Sequence, residues 1–454
     1  MPKVLLPAYP PKDKYSGFIT GHLRQFSKGR YRFMQLLEEK YGTFVELRFG
    51  RQRTFLLTDL EGVEFILKNA AHKFSKDTPG FRLVSEVTGK GIFTESGESW
   101  LKIRKIIQPF FSKQQHELWS QTVQMCSLEL IEQLKKESFS DSPINISHYM
   151  TKIALSVLGR TFFNENLGLD ISIIENELSK LVALTDIKIS EISFLPTLKK
   201  YKNNREFKKS IANLDRLINK VIEQSKLKPR DPEHNLTHAL LNSVDGINNQ
   251  FIVDQVKTMV FAGHETTSSV LSWTLYLLTK HPDWLFKVEN EIKEVLKNQT
   301  ASYETMNKLT MLNLVVNESM RLYPPNWSIG RKCEEDVDFF GYPVKKGDIF
   351  IISPFLIHHN AKSWFDPELF DPERFLPEKI NLHQPLSFIP FGVGPRACIG
   401  EVLARIELMI IISSLIQNFK LSLPPHCKVE PDFLVSLRPH GGIPLIMKPR
   451  NLNE

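Results

Sequence analysis

Residues 255 to 278 read QVKTMVFAGHETTSSVLSWTLYLL, a run that is apolar nearly all round when wound as a helix. A surface helix keeps one polar face, so a helix apolar on every side has to be enclosed. Lipid does not enclose it. No uncharged apolar stretch approaches the roughly 18 to 20 residues that a bilayer span needs, and SSVLSWTLYLLT and LMIIISSLI fall short. Other helices must therefore surround it. The 454 residues, 42% hydrophobic and 24% charged, suffice for a large soluble core and exclude disordered and collagen-like classes.

The middle of the same run carries Gly263, His264, Glu265, Thr266 and Thr267. Buried polar groups cost free energy unless they are hydrogen-bonded. A zinc-protease reading fails, because HETTS lacks the second histidine of H-E-x-x-H. Thr266 can bond back to the Ala262 carbonyl four residues earlier and bend the helix.

Elsewhere, TFVELRFG and RTFLLTD, residues 43 to 59, alternate as strands do. From about 100 to 300 the periodicity is helical, as in SWLKIRKIIQPFFS, LDRLINKVIEQSK and WLFKVENEIKEVL. After 330 short strands and turns return, as in DVDFFGYPVKKGDIFIIS. The chain reads as mostly α with a small β part drawn from both ends. That interleaving predicts one domain over 1–454, with an N-terminal arm over about 1–30 and no fused reductase domain.

The cysteines Cys126, Cys333, Cys398 and Cys427 are sparse and unpatterned, which predicts a reducing compartment and neither disulfide scaffold nor structural zinc. The opening MPKVLLPAYPPKDKYSGF has no apolar core of signal-peptide length. A soluble, cytoplasmic monomer is expected. The net charge of +7 fits a basic docking face or a scattered solvated surface, and no finger spacing or dense basic run points to nucleic acid. KKYKNNREFKKS, residues 199 to 210, could touch an anionic membrane surface or form a solvated face.

FGVGPRACIG, from Phe391 to Gly400, has three readings. Cys398 can be a buried structural cysteine in a tight turn. Gly392, Gly394 and Ala397 match G-x-G-x-x-A, a dinucleotide loop, but Pro424 follows KLSL where an acidic residue is needed. Or Cys398 is a metal thiolate, the axial ligand of haem iron, in a glycine loop whose N–H groups steady the sulfur at the start of a helix. Arg396 would then reach a haem propionate.

Phe391, Gly394, Arg396, Cys398 and Gly400 resemble the F-x-x-G-x-R-x-C-x-G haem loop of the cytochrome P450 family. Three further motifs follow the family order. Ala262 to Thr267 resembles its oxygen-activation motif, which implies that Gly263 leaves room for O2, Thr266 bonds the bound dioxygen or its water, and Glu265 relays protons. Glu318 and Arg321 in NESMRLYPP, with Arg374 in DPERF, resemble its buried ion network. Trp100 and Arg104 resemble its W-x-x-x-R pair at one propionate, and Arg331 its strand arginine at the other.

The resemblance covers roughly residues 30 to 450 and implies a single, mostly helical, roughly triangular haem domain. It implies heme b as cofactor and insertion of one oxygen atom of O2 into a lipophilic substrate, by hydroxylation or epoxidation. Electrons would come from a separate ferredoxin or flavin reductase; Lys102, Lys105 and Lys113 could form its docking face or a solvated surface. The pocket would draw on Phe81, Phe93, Phe261, Ala262, Asn326, Trp327 and Leu437. Without an anchor, a bacterial-type member is expected. Within the fold, a peroxygenase, an isomerase and a non-catalytic haem protein are rivals; outside it, a Rossmann-type dehydrogenase using NAD is one.

Overall fold

The apolar run is the body of a helix, Asn249–Lys280, that starts earlier than the sequence predicts. The structure is a computed structural model that describes residues 20–137, 142–163, 170–190, 198–229, 231, 235–243 and 249–450. Helices Ile146–Phe163, Thr310–Leu322 and Glu401–Asn418 pack against this central helix. Residues 252–261 and 267–278 are all buried. Several of their hydroxyls are satisfied within the helix: Ser272 donates to the Ser268 carbonyl at 2.7 Å and Thr274 to the Val270 carbonyl at 2.7 Å, whereas Ser269 donates outside it to the Leu437 carbonyl at 2.6 Å. Such bonds lower the cost of enclosing a helix that carries hydroxyls.

The β part pairs across the chain as its alternation predicts. Strands Phe44–Phe49 and Gln52–Leu57 form a hairpin, and Gln52–Leu57 runs parallel to Ile349–Ile352. Ile329–Cys333 adds to that strand antiparallel, and Phe74–Ser75 completes the edge. A second small sheet joins Ile144–Asn145, Phe419–Ser422 and Pro444–Pro449. One hydrophobic cluster takes residues from Phe33 to Met447. Among the described residues no helix is long and apolar enough to cross a membrane.

Helix Thr310–Leu322 ends just before Pro324, and it carries the buried ion network. The Arg321 guanidinium meets both Glu318 carboxylate oxygens, at 2.7 and 2.8 Å, with both side chains fully buried. It also donates to the carbonyls of His358 at 2.9 Å and Pro367 at 2.7 Å. Arg374 Nε lies 3.5 Å from Glu318, and the Asp371 N–H donates to the same carboxylate at 2.9 Å. Each charge is compensated, so removing one partner strands another in the interior. Glu318→Ala or Arg321→Ala is expected to cost about 3–5 kcal/mol of unfolding free energy. Glu64→Ala, which breaks the exposed Lys68–Glu64 pair, is expected to change it little in the same denaturant titration.

Candidate active site

The loop before helix Glu401–Asn418 is held by its own backbone. Gly392 and Gly394 have φ of 68° and 73°, and the Cys398 N–H donates to the Phe391 carbonyl at 2.9 Å. A Cβ on Gly394 would lie 2.1 Å from the Leu67 carbonyl oxygen, so glycine is required there for conformation and for space. Gly400 caps the helix, which sets Cys398 beside its positive end, and the Gly400 N–H points at the sulfur. The Phe391 ring lies under the Arg405 guanidinium, 5.1 Å from its carbon.

Cys398 has accessible surface although it lies deep in the protein. Burial pushes its thiol pKa up; the Gly400 N–H and the charges of Lys76 and Arg104 pull the other way. An accessible sulfur deep in the chain lines an interior opening. The central helix has its own accessible break, at Ala262, Gly263, Glu265 and Thr266. Ala262 and Thr266, four apart, share a face. The Thr266 hydroxyl donates to the Ala262 carbonyl at 2.8 Å. A Cβ on Gly263 would meet Leu158 at 2.9 Å, so its bareness lets helix Ile146–Phe163 approach.

Glu265 turns toward a polar cavity of about 320 Å³ whose lining includes His148, Glu175, Ser268, Asp432 and Arg438. Its Oε1 is buried without a hydrogen-bond partner and lies 3.8 Å from Arg438 Nη1. Arg438 was not legible from any motif; it lies on strand Leu437–Pro439, far along the chain.

A cluster of cations stands near Cys398. The Arg396 guanidinium stacks on the Trp100 ring at 3.8 Å and donates to the Glu95 carbonyl at 2.8 Å, while its Nη1 is buried and unpartnered. Burial, then Arg331 and Arg104, lowers its pKa to about 9. Burial lowers that of Arg331 to about 10. Lys76, which sequence reasoning missed, is held well below the usual lysine value by burial and by Arg331 and Arg396. Arg104 bonds Gln108 at 3.3 Å. Among the described residues no carboxylate pairs with Lys76, Arg104, Arg331 or Arg396. The cluster lacks an anion. Haem b fits: a thiol at an interior opening, glycines that let the loop close up, and buried cations in need of the charge that propionates carry.

The remaining pocket candidates separate. Phe81 and Phe93 are half-buried and pair ring to ring at 5.3 Å. Asn326 is exposed and Phe261 is buried in the main cluster. Trp327 and Leu437 are both buried. The Trp327 indole donates to the Leu434 carbonyl at 2.8 Å and packs edge-on to Phe433, a structural anchor under the C-terminal turn. Leu437 is fully buried, with its carbonyl accepting from Ser269 Oγ at 2.6 Å. The dinucleotide reading also falls, because residues 388–393 form no strand and a short 3-10 turn, Gly394–Arg396, replaces the helix start.

The sequence model of the Cytochrome P450 family matches residues 10–445. A cytokinin hydroxylase of Arabidopsis thaliana is 31% identical over 80% of this chain and 72% of its own length. A second Arabidopsis cytokinin hydroxylase is 29% identical, over 91% and 82%. Cytochrome P450 3A41 of Mus musculus is 28% identical, over 95% and 90%. The chain belongs to the cytochrome P450 family and has its mostly helical fold. It is a haem monooxygenase that uses heme b, O2, an organic substrate and an external electron donor. These relatives are plant and rodent proteins and lend no support to a bacterial-type assignment.

Gly394→Ala is expected to abolish haem uptake, read as Soret absorbance per protein. Gly392→Ala, whose Cβ would meet nothing within 4 Å, is expected to retain haem at about 1–2 kcal/mol of backbone strain.

Proposed function

We propose that the chain hydroxylates or epoxidises a lipophilic molecule at a haem ligated by Cys398, with Glu265 and Thr266 governing protons. The observation that carries this reading is the adjacency of a carboxylate turned to a polar cavity and a hydroxyl on the accessible break of an otherwise dry helix. Ligated haem supplies the O2 activation and the oxidising power that protein side chains lack.

In this reading the chain does the rest. Cys398 would hold the iron as thiolate, helped by the Gly400 N–H and the helix end. Trp100, Arg104, Arg331, Arg396 and Lys76 hold the carboxylates of the cofactor's edge, and Phe391, Gly394 and Gly400 shape the loop. Thr266 exchanges its bond to the Ala262 carbonyl for one to a bound ligand or water. Glu265 takes protons from the polar cavity and passes them to that hydroxyl, with Arg438, 3.8 Å away, orienting the carboxylate. Glu318, Arg321 and Arg374 act structurally.

The electron donor is a ferredoxin or a flavin reductase with an acidic face. Lys102, Lys105 and Lys113 are exposed on and after helix Gly97–Ile107, the helix that carries Trp100, and suit such a partner. The chain works as one monomeric domain. Four free cysteines favour a reducing compartment such as the cytoplasm. Exposed Lys202, Arg205, Lys208 and Lys209 suit weak contact with an anionic membrane. The two plant relatives are named for hydroxylation, the reaction proposed here.

The test uses haem-loaded protein with NADPH, a reductase system and lipophilic compounds chosen by their spin-state shift, under isotopically heavy O2. One heavy oxygen atom in the product is expected. Thr266→Ala is expected to lower product per NADPH by roughly tenfold or more and to release peroxide instead. Unlabelled product, or full coupling in Thr266→Ala, would contradict the proposal and favour an isomerase or a peroxygenase.

A further inference from the structure

A line of rings leads away from the cysteine loop. A Cβ on Gly400 would lie 4.0 Å from both Cys398 Sγ and Phe111 Cε1, so the Phe111 ring reaches the loop beside the sulfur. Trp119 meets Phe111 edge-on, with ring centres 5.6 Å apart. The His116 ring stands 5.6 Å from Trp119, and the Tyr303 ring 5.0 Å from His116. Trp119 and His116 are buried; Tyr303 is half-buried and sits next to exposed Glu304. The line therefore starts near the sulfur and ends at the surface.

Each ring is held in place. His116 and Trp119 lie in the first turn of helix His116–Glu137. Tyr303 follows helix Pro282–Leu296, in a segment pinned to the first of these helices. The Tyr303 N–H donates to Ser120 Oγ at 2.8 Å, and Gln124 Nε2 donates to the Ala301 carbonyl at 2.8 Å. The Tyr303 hydroxyl lies 3.0 Å from His116 Nδ1, within reach for proton transfer. Burial, then Lys113, lowers the His116 pKa, so at neutral pH the imidazole is uncharged and able to accept a proton.

Packing alone accounts for Phe111. The indole and the phenol differ from it in giving up an electron far more readily, and their polar atoms are set differently. A buried indole N–H ordinarily finds an acceptor. Among the described residues Trp119 Nε1 has none. With nowhere to send its proton, an oxidised Trp119 stays a radical cation and a strong oxidant. Tyr303 has a base at its hydroxyl, so it loses electron and proton together. The gradient runs from indole to phenol.

We propose that Trp119 and Tyr303 form a relay that discharges an unused oxidising equivalent of the haem to the surface, protecting the haem and Cys398 when no substrate consumes it. In one passage Trp119 gives up one electron toward the haem and keeps its N–H. Tyr303 returns one electron to Trp119; its O–H bond breaks and the proton passes to His116 Nδ1. A small thiol or ascorbate then gives one hydrogen atom to the phenoxyl oxygen, and His116 releases its proton to water. The inference rests on the haem-monooxygenase reading, which supplies the oxidant.

The test mixes haem-loaded ferric protein, free of substrate, with cumene hydroperoxide and freezes it at short intervals for electron paramagnetic resonance. The parent protein is expected to give a tyrosyl signal that narrows when it is grown on ring-deuterated tyrosine. Tyr303→Phe is expected to lose that signal and show an indole radical in its place. Trp119→Phe is expected to lose both. His116→Gln can hold the hydroxyl but not take its proton, and is expected to accumulate the indole radical. Haem bleaching by the peroxide is expected to quicken in Trp119→Phe and Tyr303→Phe, with the carbon monoxide spectrum of reduced protein unchanged. A tyrosyl signal of parental strength in either variant would overturn the proposal. If Trp119→Phe fails to load haem, Tyr303→Phe, which keeps its ring, decides. A haem-loaded parent protein without a tyrosyl signal overturns the relay alone; a parent protein that binds no haem overturns the haem reading together with it.

Discussion

The Arg321–Glu318 pair is the contact on which the rest of the proximal side depends. Its guanidinium has no solvent to turn to, so it takes up the backbone carbonyls of His358, Pro367 and Leu369 as well as the carboxylate. That draws an irregular stretch of chain onto one helix. His358 carries the order onward: its Nε2 accepts from the Ile389 N–H at 2.9 Å, two residues before Phe391 opens the cysteine loop. The ring is fully buried and, by burial, held neutral, as an acceptor at Nε2 must be. A line of hydrogen bonds therefore runs from the ion network to the loop of Cys398.

The second constraint is charge without a counter-charge. Four cations gather near one another and near a cysteine, and their pKa values fall where burial and mutual repulsion act. A chain selected for stability alone would have no use for this arrangement. It becomes favourable when an anionic cofactor edge sits among the cations. Two of the four also donate to backbone carbonyls, Lys76 to that of Phe93 and Arg396 to that of Glu95.

What the sequence disclosed followed from whether a signal was local. The enclosed helix, the β pairing between the two ends, the stop at Pro324 and the cysteine loop each reside in a short run whose periodicity or turn chemistry can be read directly. Lys76 could not be found that way, since nothing near it in sequence marks it and its partners are Phe93, Arg331 and Arg396. His358 and Arg438 were hidden for the same reason. Gly263 was legible as a glycine in a motif, but which neighbour fills the space depends on where Leu158 lies. Trp327 and Leu437 were expected in the pocket by resemblance to the family; that the Trp327 indole bonds the Leu434 carbonyl and that the Leu437 carbonyl accepts from Ser269 could be seen only in the fold.

The account turns on Cys398 as the ligand of a haem held by this cation cluster. The most direct test is the visible spectrum of purified, dithionite-reduced protein exposed to carbon monoxide, compared with Cys398→Ser. A strongly red-shifted Soret band in the parent protein, absent in Cys398→Ser, is the predicted result. A protein that stays colourless when haem is supplied during expression, or a red-shifted band that survives in Cys398→Ser, would contradict the account.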